Sequence, residues 1–232
     1  MQKSTIRLIT SILVFFVLIP VTLYLGITVF EDRKYYMISL CIIALACIPF
    51  FVSFERRKPQ PREMLTIAVM AAISVAGRCL FVATPGFKPV SAITAITGFT
   101  LGTEAGFLTG ALSALVSNMF FGQGPWTPFQ MFTWGMIGFI AGLLGKTGWM
   151  HKKIPLILFG IFAGIFFSFG MDIWGAISTY GVFEWEAYIL AMTSAVPFTI
   201  IYCVSNVIFL LVLAKPITEK LQRIKTKYGL MQ

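Results

Sequence analysis

Eight long apolar runs constrain this chain more than any other feature of its sequence. A membrane-spanning helix needs ~20 mostly apolar residues, and most of the runs approach or exceed that length. Hydrophobic residues make up 58% of the chain and charged residues only 12%, which leaves too little polar surface to cover a soluble globule. The sequence therefore predicts an all-α, polytopic membrane helical bundle. The runs lie near residues 8–30, 37–54, 64–83, 89–102, 105–121, 128–145, 154–178 and 189–213.

The lysines and arginines predict how the bundle is oriented. If the N-terminus is cytoplasmic and the runs alternate, 14 basic residues fall on the inner side and only Arg33, Lys34 and Lys88 on the outer side. This asymmetry predicts a multi-pass protein of the cell membrane with both termini cytoplasmic. The net charge of +9 is then mainly an orientation signal. Because the basic residues are scattered over the inner loops, nucleic-acid binding is not predicted.

Composition divides the chain into four parts. Residues 1–54 predict a pair of plain apolar transmembrane helices, and residues 55–63 a basic cytoplasmic linker whose prolines and charges favour an extended loop. Small residues become frequent after the linker, so residues 64–213 are interpreted as a six-helix substrate-binding core. Residues 214–232 predict a basic cytoplasmic tail, an amphipathic or frayed helix end that contacts the lipid bilayer or a partner.

The bend between the fifth and sixth runs of the sequence combines amides, tryptophans, glycines and prolines without any charge. Such a set supplies hydrogen-bonding groups and ring faces for an uncharged polar ligand. Tryptophans often serve only as anchors at the membrane interface, but that role does not explain the amides. We therefore predict that this bend contributes Asn118, Gln123, Trp126, Gln130 and Trp134 to a binding site.

Two charged residues lie within predicted membrane spans. Burying a charge in the bilayer is energetically unfavourable, so such residues often mark a functional site. Arg78 and Asp172 both fall toward the outer third of the bilayer if their helices rise 1.5 Å per residue. They are interpreted either as residues at the outer interface or as an ion pair lining an outward-facing cavity. Trp174 belongs to the aromatic residues gathered at the same level, so it joins the predicted site.

Small residues recur at helical spacing in several runs, which allows helices to approach closely. From spacing alone, packing within the bundle is the simpler interpretation of Ala68, Ala72 and Ala76 in the third run. The remaining ladders are also interpreted as internal packing: Gly106, Gly110 and Ala114; Gly135, Gly138 and Gly142; Gly160 and Gly164.

Signals of catalysis are weak. A nucleotide-binding loop ending in Gly145-Lys146-Thr147 would need glycine at position 140, where Ile140 stands. The single histidine, His151, lies among inner lysines and is badly placed to act as a buried base. The four cysteines lack the paired spacing of metal ligands. The sequence thus predicts no enzyme, no cofactor and no metal site.

The segment from Asn118 to Gly145 resembles the central hairpin of S components, the substrate-capturing subunits of energy-coupling factor (ECF) vitamin transporters. The resemblance covers residues 64–213 and is strongest over 65–77 and 106–145. It implies that the chain binds a vitamin at the outer face and depends on a transmembrane T component and two ATP-binding cassette ATPases. The absence of an ATP-binding motif from this sequence is consistent with ATP hydrolysis by separate partner subunits.

The resemblance also implies roles that the residues alone leave open. In S components an alanine motif on the first core helix docks on the T component, and Ala68, Ala72 and Ala76 match its spacing. The bend looks most like that of cobalamin-specific members, which makes cobalamin the first expectation for the vitamin. Riboflavin or another vitamin is an alternative, and a non-transporting membrane assembly protein is a rival interpretation from another class.

Overall fold

The computed structural model describes residues 13–18, 21–22, 35–56, 59–148, 150, 152–181 and 183–229. Regular structure within these residues is helical, so the predicted all-α bundle is confirmed. A π-helical segment, Leu13–Leu18, precedes seven α-helices: α1 (Tyr35–Arg56), α2 (Pro61–Leu80), α3 (Val90–Leu101), α4 (Thr103–Phe121), α5 (Thr127–Gly145), α6 (Lys153–Tyr180) and α7 (Trp185–Tyr228).

Several helices are suited to a bilayer. Helices α2 and α5, residues Lys153–Thr179 of α6, and α7 are each long and apolar enough to cross a membrane, while Cys41–Glu55 and α3 are shorter apolar helices. The chain is therefore a multi-pass membrane protein. Most of the first predicted helix, residues 8–30, lies outside the described residues, as do residues 57–58 of the predicted linker and 230–232 of the predicted tail.

Helix boundaries differ from the predicted ones around the linker and along α7: α1 runs on to Arg56 inside the predicted linker, and α7 begins at Trp185 rather than near residue 189. Helix α2 begins at Pro61, inside the predicted linker, because proline is tolerated in the first turn, where its missing N–H needs no partner. Helix α7 continues past residue 213 to Tyr228, although it contains Pro216. The Lys, Leu, Arg and Ile residues that follow Pro216 are compatible with a helix, and Gly229 ends it in the left-handed conformation at φ 60°.

Glycines bring α3, α4 and α5 into backbone contact at the centre of the bundle. A Cβ added to Gly98 or to Gly106 would collide with the carbonyl of Gly138, and one on Gly138 would collide with the carbonyl of Gly106. Gly110 lies against the backbone of Trp134 in the same way. The predicted internal packing of these ladders is confirmed, and it fixes the position of α5, which carries part of the site.

Helices α6 and α7 form a second close pair. A Cβ on Gly160 would lie 2.9 Å from the backbone nitrogen of Val207, and one on Gly164 would lie 2.5 Å from that of Cys203. The predicted internal role of this ladder is confirmed as well. Gly181 ends α6 with a φ of 76°, which reverses the chain toward α7.

Helix α1 packs on the core through aromatic residues. The Phe50 ring stacks on Phe107 of α4 at 3.9 Å between centroids and meets Phe139 of α5 edge-on at 5.2 Å. The Ser53 hydroxyl donates a hydrogen bond of 2.5 Å to Glu104 Oε1 at the start of α4. Helix α1 is thus attached to α4 and α5 through these contacts.

Candidate ligand-binding site

Arg78, in the last turn of α2, is the centre of a polar cluster. Its Nη1 donates hydrogen bonds to Ser117 Oγ at 2.5 Å and to Asn118 Oδ1 at 2.8 Å. The guanidinium carbon lies 4.5 Å from the Phe121 ring centroid and 5.2 Å from that of Trp134. Hydrogen bonds and ring faces together hold the cation in a partly desolvated place, where cation–π attraction is strongest.

Asn118 links Arg78 to the next helix. Its side chain is fully buried, and Nδ2 donates to Thr127 Oγ1 at 2.9 Å and to Gln130 Oε1 at 2.8 Å. Both amide hydrogens and the amide oxygen are therefore used within the protein. Asn118 closes α4 and Gln130 lies in the first turn of α5, so one amide sets the relative position of three helix ends.

Gln123 and Trp126 shape the bend itself. Gln123 Nε2 donates to the carbonyl of Leu115 at 2.7 Å, and its Oε1 accepts from Thr127 Oγ1 at 3.0 Å. The Trp126 ring packs so closely on Gly124 that a Cβ there would collide with it. Neither residue lines the cavity described next.

The Arg78 cluster borders a cavity of about 220 Å³. Of the residues predicted from sequence, Arg78, Gln130 and Trp134 line it, and Asn118 supports it through Arg78 and Gln130. Four further elements contribute: the loop before α3, α3 itself, α6 and α7. The full lining comprises Arg78, Gly86, Lys88, Val90, Ser91, Gln130, Trp134, Phe167, Met171, Tyr202 and Asn206.

One side of the cavity is an aromatic wall. The rings of Trp134 and Phe167 stack with 4.9 Å between centroids and 9° between planes. Tyr202 meets Phe167 edge-on at 5.2 Å. Because these rings belong to α5, α6 and α7 and pack on one another, the wall is preformed without a ligand.

Lys88 brings a second cation to the cavity. Its Nζ lies 5.0 Å from the Phe121 ring centroid, and its carbonyl accepts a hydrogen bond of 3.1 Å from Ser205 Oγ. Partial burial, and next the neighbouring Arg78, lower the pKa of Lys88 below its usual value. No carboxylate is among the residues that line the cavity, so its polar side presents mainly donors.

Asp172 and Trp174 lie close to this cavity along α6 but not in its lining. Asp172 Oδ2 accepts a long hydrogen bond of 3.5 Å from Ser168, and within the part of the chain that the structure describes no ion pair joins it to Arg78. Of the two interpretations of these charges, the ion pair is therefore not formed, because Arg78 reaches α4 instead. Trp174 packs on Phe129 at 5.6 Å between centroids.

The sequence prediction contains none of the residues that α3 and α7 contribute to the cavity. Ser91 and Asn206 are buried, and Asn206 lies one turn after Tyr202, so both α7 residues share a helix face. Polar residues at such spacing in an apolar run are a usable signal. From sequence, Lys88 indicates only topology, because its proximity to Arg78 depends on the fold of the loop between α2 and α3.

The alanine stripe of α2 faces outward. Ala68, Ala72 and Ala76 are exposed, whereas the opposite face of α2 buries Ile67, Met70, Ala71, Ser74 and Val75. Among the helices that the structure describes, none covers the three alanines, so packing within the bundle, the simpler interpretation of the spacing, is not found there. The face is open to lipid or to another protein.

A profile of the family described as "ECF-type riboflavin transporter, S component" matches residues 58–223, more than two thirds of the chain. The match begins just before α2 and ends within the last part of α7, so it includes every residue that lines the cavity. No curated protein and no solved structure matches the chain. This family is one of transport subunits that act with a T component and ATPases on a small-molecule vitamin. The chain belongs to the ECF-type riboflavin transporter S-component family.

Proposed function

We propose that this chain binds riboflavin in the cavity beside Arg78 and hands it inward when coupled to a T component and two ATPases. The observation that carries the proposal is a preformed aromatic wall, Trp134 on Phe167, facing side chains that donate hydrogen bonds. The match to a riboflavin-transporter family supports the same ligand. Cobalamin, the first expectation from the bend, gains no support from that match.

Flavin chemistry fits the lining. An isoalloxazine is a planar tricycle whose faces favour aromatic side chains and whose pyrimidine edge offers two carbonyl oxygens and a ring nitrogen as acceptors. Arg78 and Lys88 are donors for those acceptors, and the Gln130 amide can serve the adjacent N–H. The hydroxyl and amide of Ser91 and Asn206 suit a polyhydroxylated ribityl chain. The cavity of about 220 Å³ is smaller than the roughly 300–1,000 Å³ that is typical of small-molecule sites, so it favours the smaller riboflavin over a bulky corrinoid.

The orientation and the remaining site residues are part of the proposal. With both termini cytoplasmic, the cavity lies toward the outer end of α2, where a vitamin arrives. Asn118 then holds Arg78 and Gln130 in place, Gln123 acts through Thr127, and the Trp126 carbonyl accepts from the Gln130 backbone N–H. Asp172 and Trp174 act from the same part of α6. Ala68, Ala72 and Ala76 form the docking face for the T component, which their exposure supports.

Riboflavin binding is tested directly with the purified full chain. We expect riboflavin fluorescence to be quenched on titration, because the flavin would lie against Trp134 and Phe167, and we expect one flavin per chain. Cobalamin at equal concentration should not displace it. Cobalamin binding without riboflavin binding would restore the first expectation, and a chain that binds no vitamin would favour a non-transporting assembly protein.

A second test separates docking from capture. Ala72→Leu places a branched side chain on the exposed alanine stripe, where two helices of an S and a T component would nearly touch. Overpacking at such a contact costs about 1–3 kcal/mol, so co-purification of the T component and ATP-driven uptake into vesicles should fall while riboflavin binding persists. Ser194→Leu, at an exposed residue of α7, is the matched control and should leave all three unchanged. Full uptake by Ala72→Leu vesicles would contradict the docking face.

A further inference from the structure

A second cavity, of about 470 Å³, lies at the other end of the bundle from the proposed riboflavin site. It is formed between the start of α6 and the later part of α7, with contributions from the end of α3 and from Met150. Under the proposed orientation this end faces the cytoplasm. Its lining comprises Phe99, Met150, Lys153, Leu156, Leu211, Ala214, Lys215, Thr218, Glu219 and Gln222.

The two long walls of this inner cavity change from polar to apolar in the same direction. On α6, Lys153 lies at the cytoplasmic end and Leu156 one turn deeper. On the antiparallel α7, Lys215 lies nearer the cytoplasm and Leu211 one turn deeper. The lining of α7 from Leu211 to Gln222 extends over about 16 Å at the rise of an α-helix. A ligand that fits both walls has a polar head and an apolar tail.

The charged residues at the polar end of the cavity indicate that the ligand's head group is negatively charged. Lys153 and Lys215 are exposed cations, and Glu219, one turn after Lys215, leaves the lining with a net positive charge. The buried Thr218 hydroxyl has the Thr100 hydroxyl 3.4 Å away, so it keeps capacity for another hydrogen bond. Two ammonium groups with a hydroxyl beside them are suited to a phosphate ester.

The apolar end is accessible from the bilayer. Leu211 and its neighbour Val212 are exposed on α7, and Ile154 and Leu158 are exposed on α6. An acyl chain can therefore enter from the side without leaving the hydrocarbon region. A soluble phosphate would use only the lysines and would leave the walls at Leu156 and Leu211 unfilled, so the cavity favours a lipid over a free anion.

We propose that the inner cavity binds one anionic glycerophospholipid of the cytoplasmic leaflet, with its phosphate at Lys153 and Lys215 and an acyl chain along Leu156 and Leu211. Basic pockets between transmembrane helices on the cytoplasmic side are suited to such headgroups. The bound lipid fastens the inner ends of α6 and α7 to the leaflet. This site is independent of which vitamin occupies the outer cavity.

The test uses the full chain in neutral detergent and native mass spectrometry with added phosphatidylglycerol or phosphatidylcholine. We expect the wild type to retain phosphatidylglycerol selectively. The double variant K153Q/K215Q should bind it about 25-fold more weakly, since each lysine near an anionic headgroup contributes a factor of about five. The control K152Q/K220Q removes the same charge from exposed residues outside the lining and should lose far less. A monodisperse size-exclusion peak and an unchanged melting temperature check that each variant is folded.

Four outcomes would overturn the proposal. Equal losses in both double variants would mean diffuse attraction to basic residues, and equal retention of phosphatidylcholine would mean that charge does not select the ligand. Displacement of the lipid by inorganic phosphate alone would mean an anion site without a lipid tail. A K153Q/K215Q variant that keeps phosphatidylglycerol but no longer co-purifies with the T component would assign the cavity to protein docking instead.

Discussion

Replacing Gly138 with valine should prevent the chain from accumulating as a folded membrane protein. A Cβ at this position would collide with the carbonyl group of Gly106 and would lie 2.8 Å from Thr94 Cγ2, so α5 would have to move away from both α3 and α4. Overpacking of a core typically costs about 1–3 kcal/mol. The nearest atoms that the valine would collide with belong to the Gly106 backbone, which cannot move aside as a flexible side chain can. We therefore expect a loss of folding free energy at or above the upper end of that range.

The comparison is with Gly175→Val on α6, where an added Cβ would meet nothing within 4 Å. Both variants place the same β-branched residue inside a helix, so the intrinsic helix cost is matched. We expect the Gly138 variant to lose its monodisperse size-exclusion peak or to melt far below the wild type, and the Gly175 variant to behave nearly as the wild type. Equal melting temperatures for the two variants would contradict the three-helix crossing.

Helix packing of this kind could be predicted because it depends on local pattern. Apolar runs of sufficient length predict spans, since a bilayer leaves the backbone no partner except its own helix. Glycines at three- and four-residue spacing predict close approach, and those at 106, 135, 138 and 142 lie at the contacts between α3, α4 and α5. The pattern could not name the partner helix, because spacing describes one face of one helix.

The candidate site was only partly predictable for the same reason. The bend predicts amides that face a ligand, yet Asn118 is fully buried and engages its oxygen and both amide hydrogens with Arg78, Thr127 and Gln130. A one-dimensional pattern shows that donors and acceptors are present but not whether they satisfy one another. Lys88 and Tyr202 reach the cavity from elements far apart in sequence, so only the tertiary structure brings them beside Arg78.

The exposed alanine stripe shows the opposite case, in which structure decides between two interpretations that sequence left open. Spacing alone favoured packing within the bundle, whereas the resemblance to S components implied a partner surface. Exposure of Ala68, Ala72 and Ala76 among the described helices leaves the first interpretation without support. What remains is a helix with one face buried by its own protein and one face of small residues available for a close contact in the membrane.

Replacing Arg78 with methionine should abolish measurable riboflavin binding. The guanidinium lines the cavity and also holds Ser117 and Asn118, so its removal takes a charged donor from the ligand and leaves the Asn118 oxygen without its partner. A hydrogen bond to a charged group contributes about 1.5–3 kcal/mol, so its loss should lower the affinity for riboflavin roughly 10- to 150-fold. Without Arg78, Asn118 also loses a partner, which should displace Gln130 and lower the affinity further. Fluorescence titration of the purified variant measures the change.

Arg62→Met provides the matched control at the other end of the same helix. Arg62 lies over the Tyr228 ring at 4.6 Å and is remote from the cavity, so its replacement removes an equal charge from α2 without touching the site. Arg78→Lys adds a second comparison. A lysine ammonium keeps the positive charge, but it lacks the planar guanidinium whose N–H groups donate to two acceptors in a fixed geometry. We expect affinity in the order wild type and Arg62→Met, then Arg78→Lys, then Arg78→Met, with melting temperatures reported for each. If Arg78→Met binds riboflavin as tightly as Arg62→Met does, the ligand lies elsewhere in the bundle and the cavity beside Arg78 is not the site.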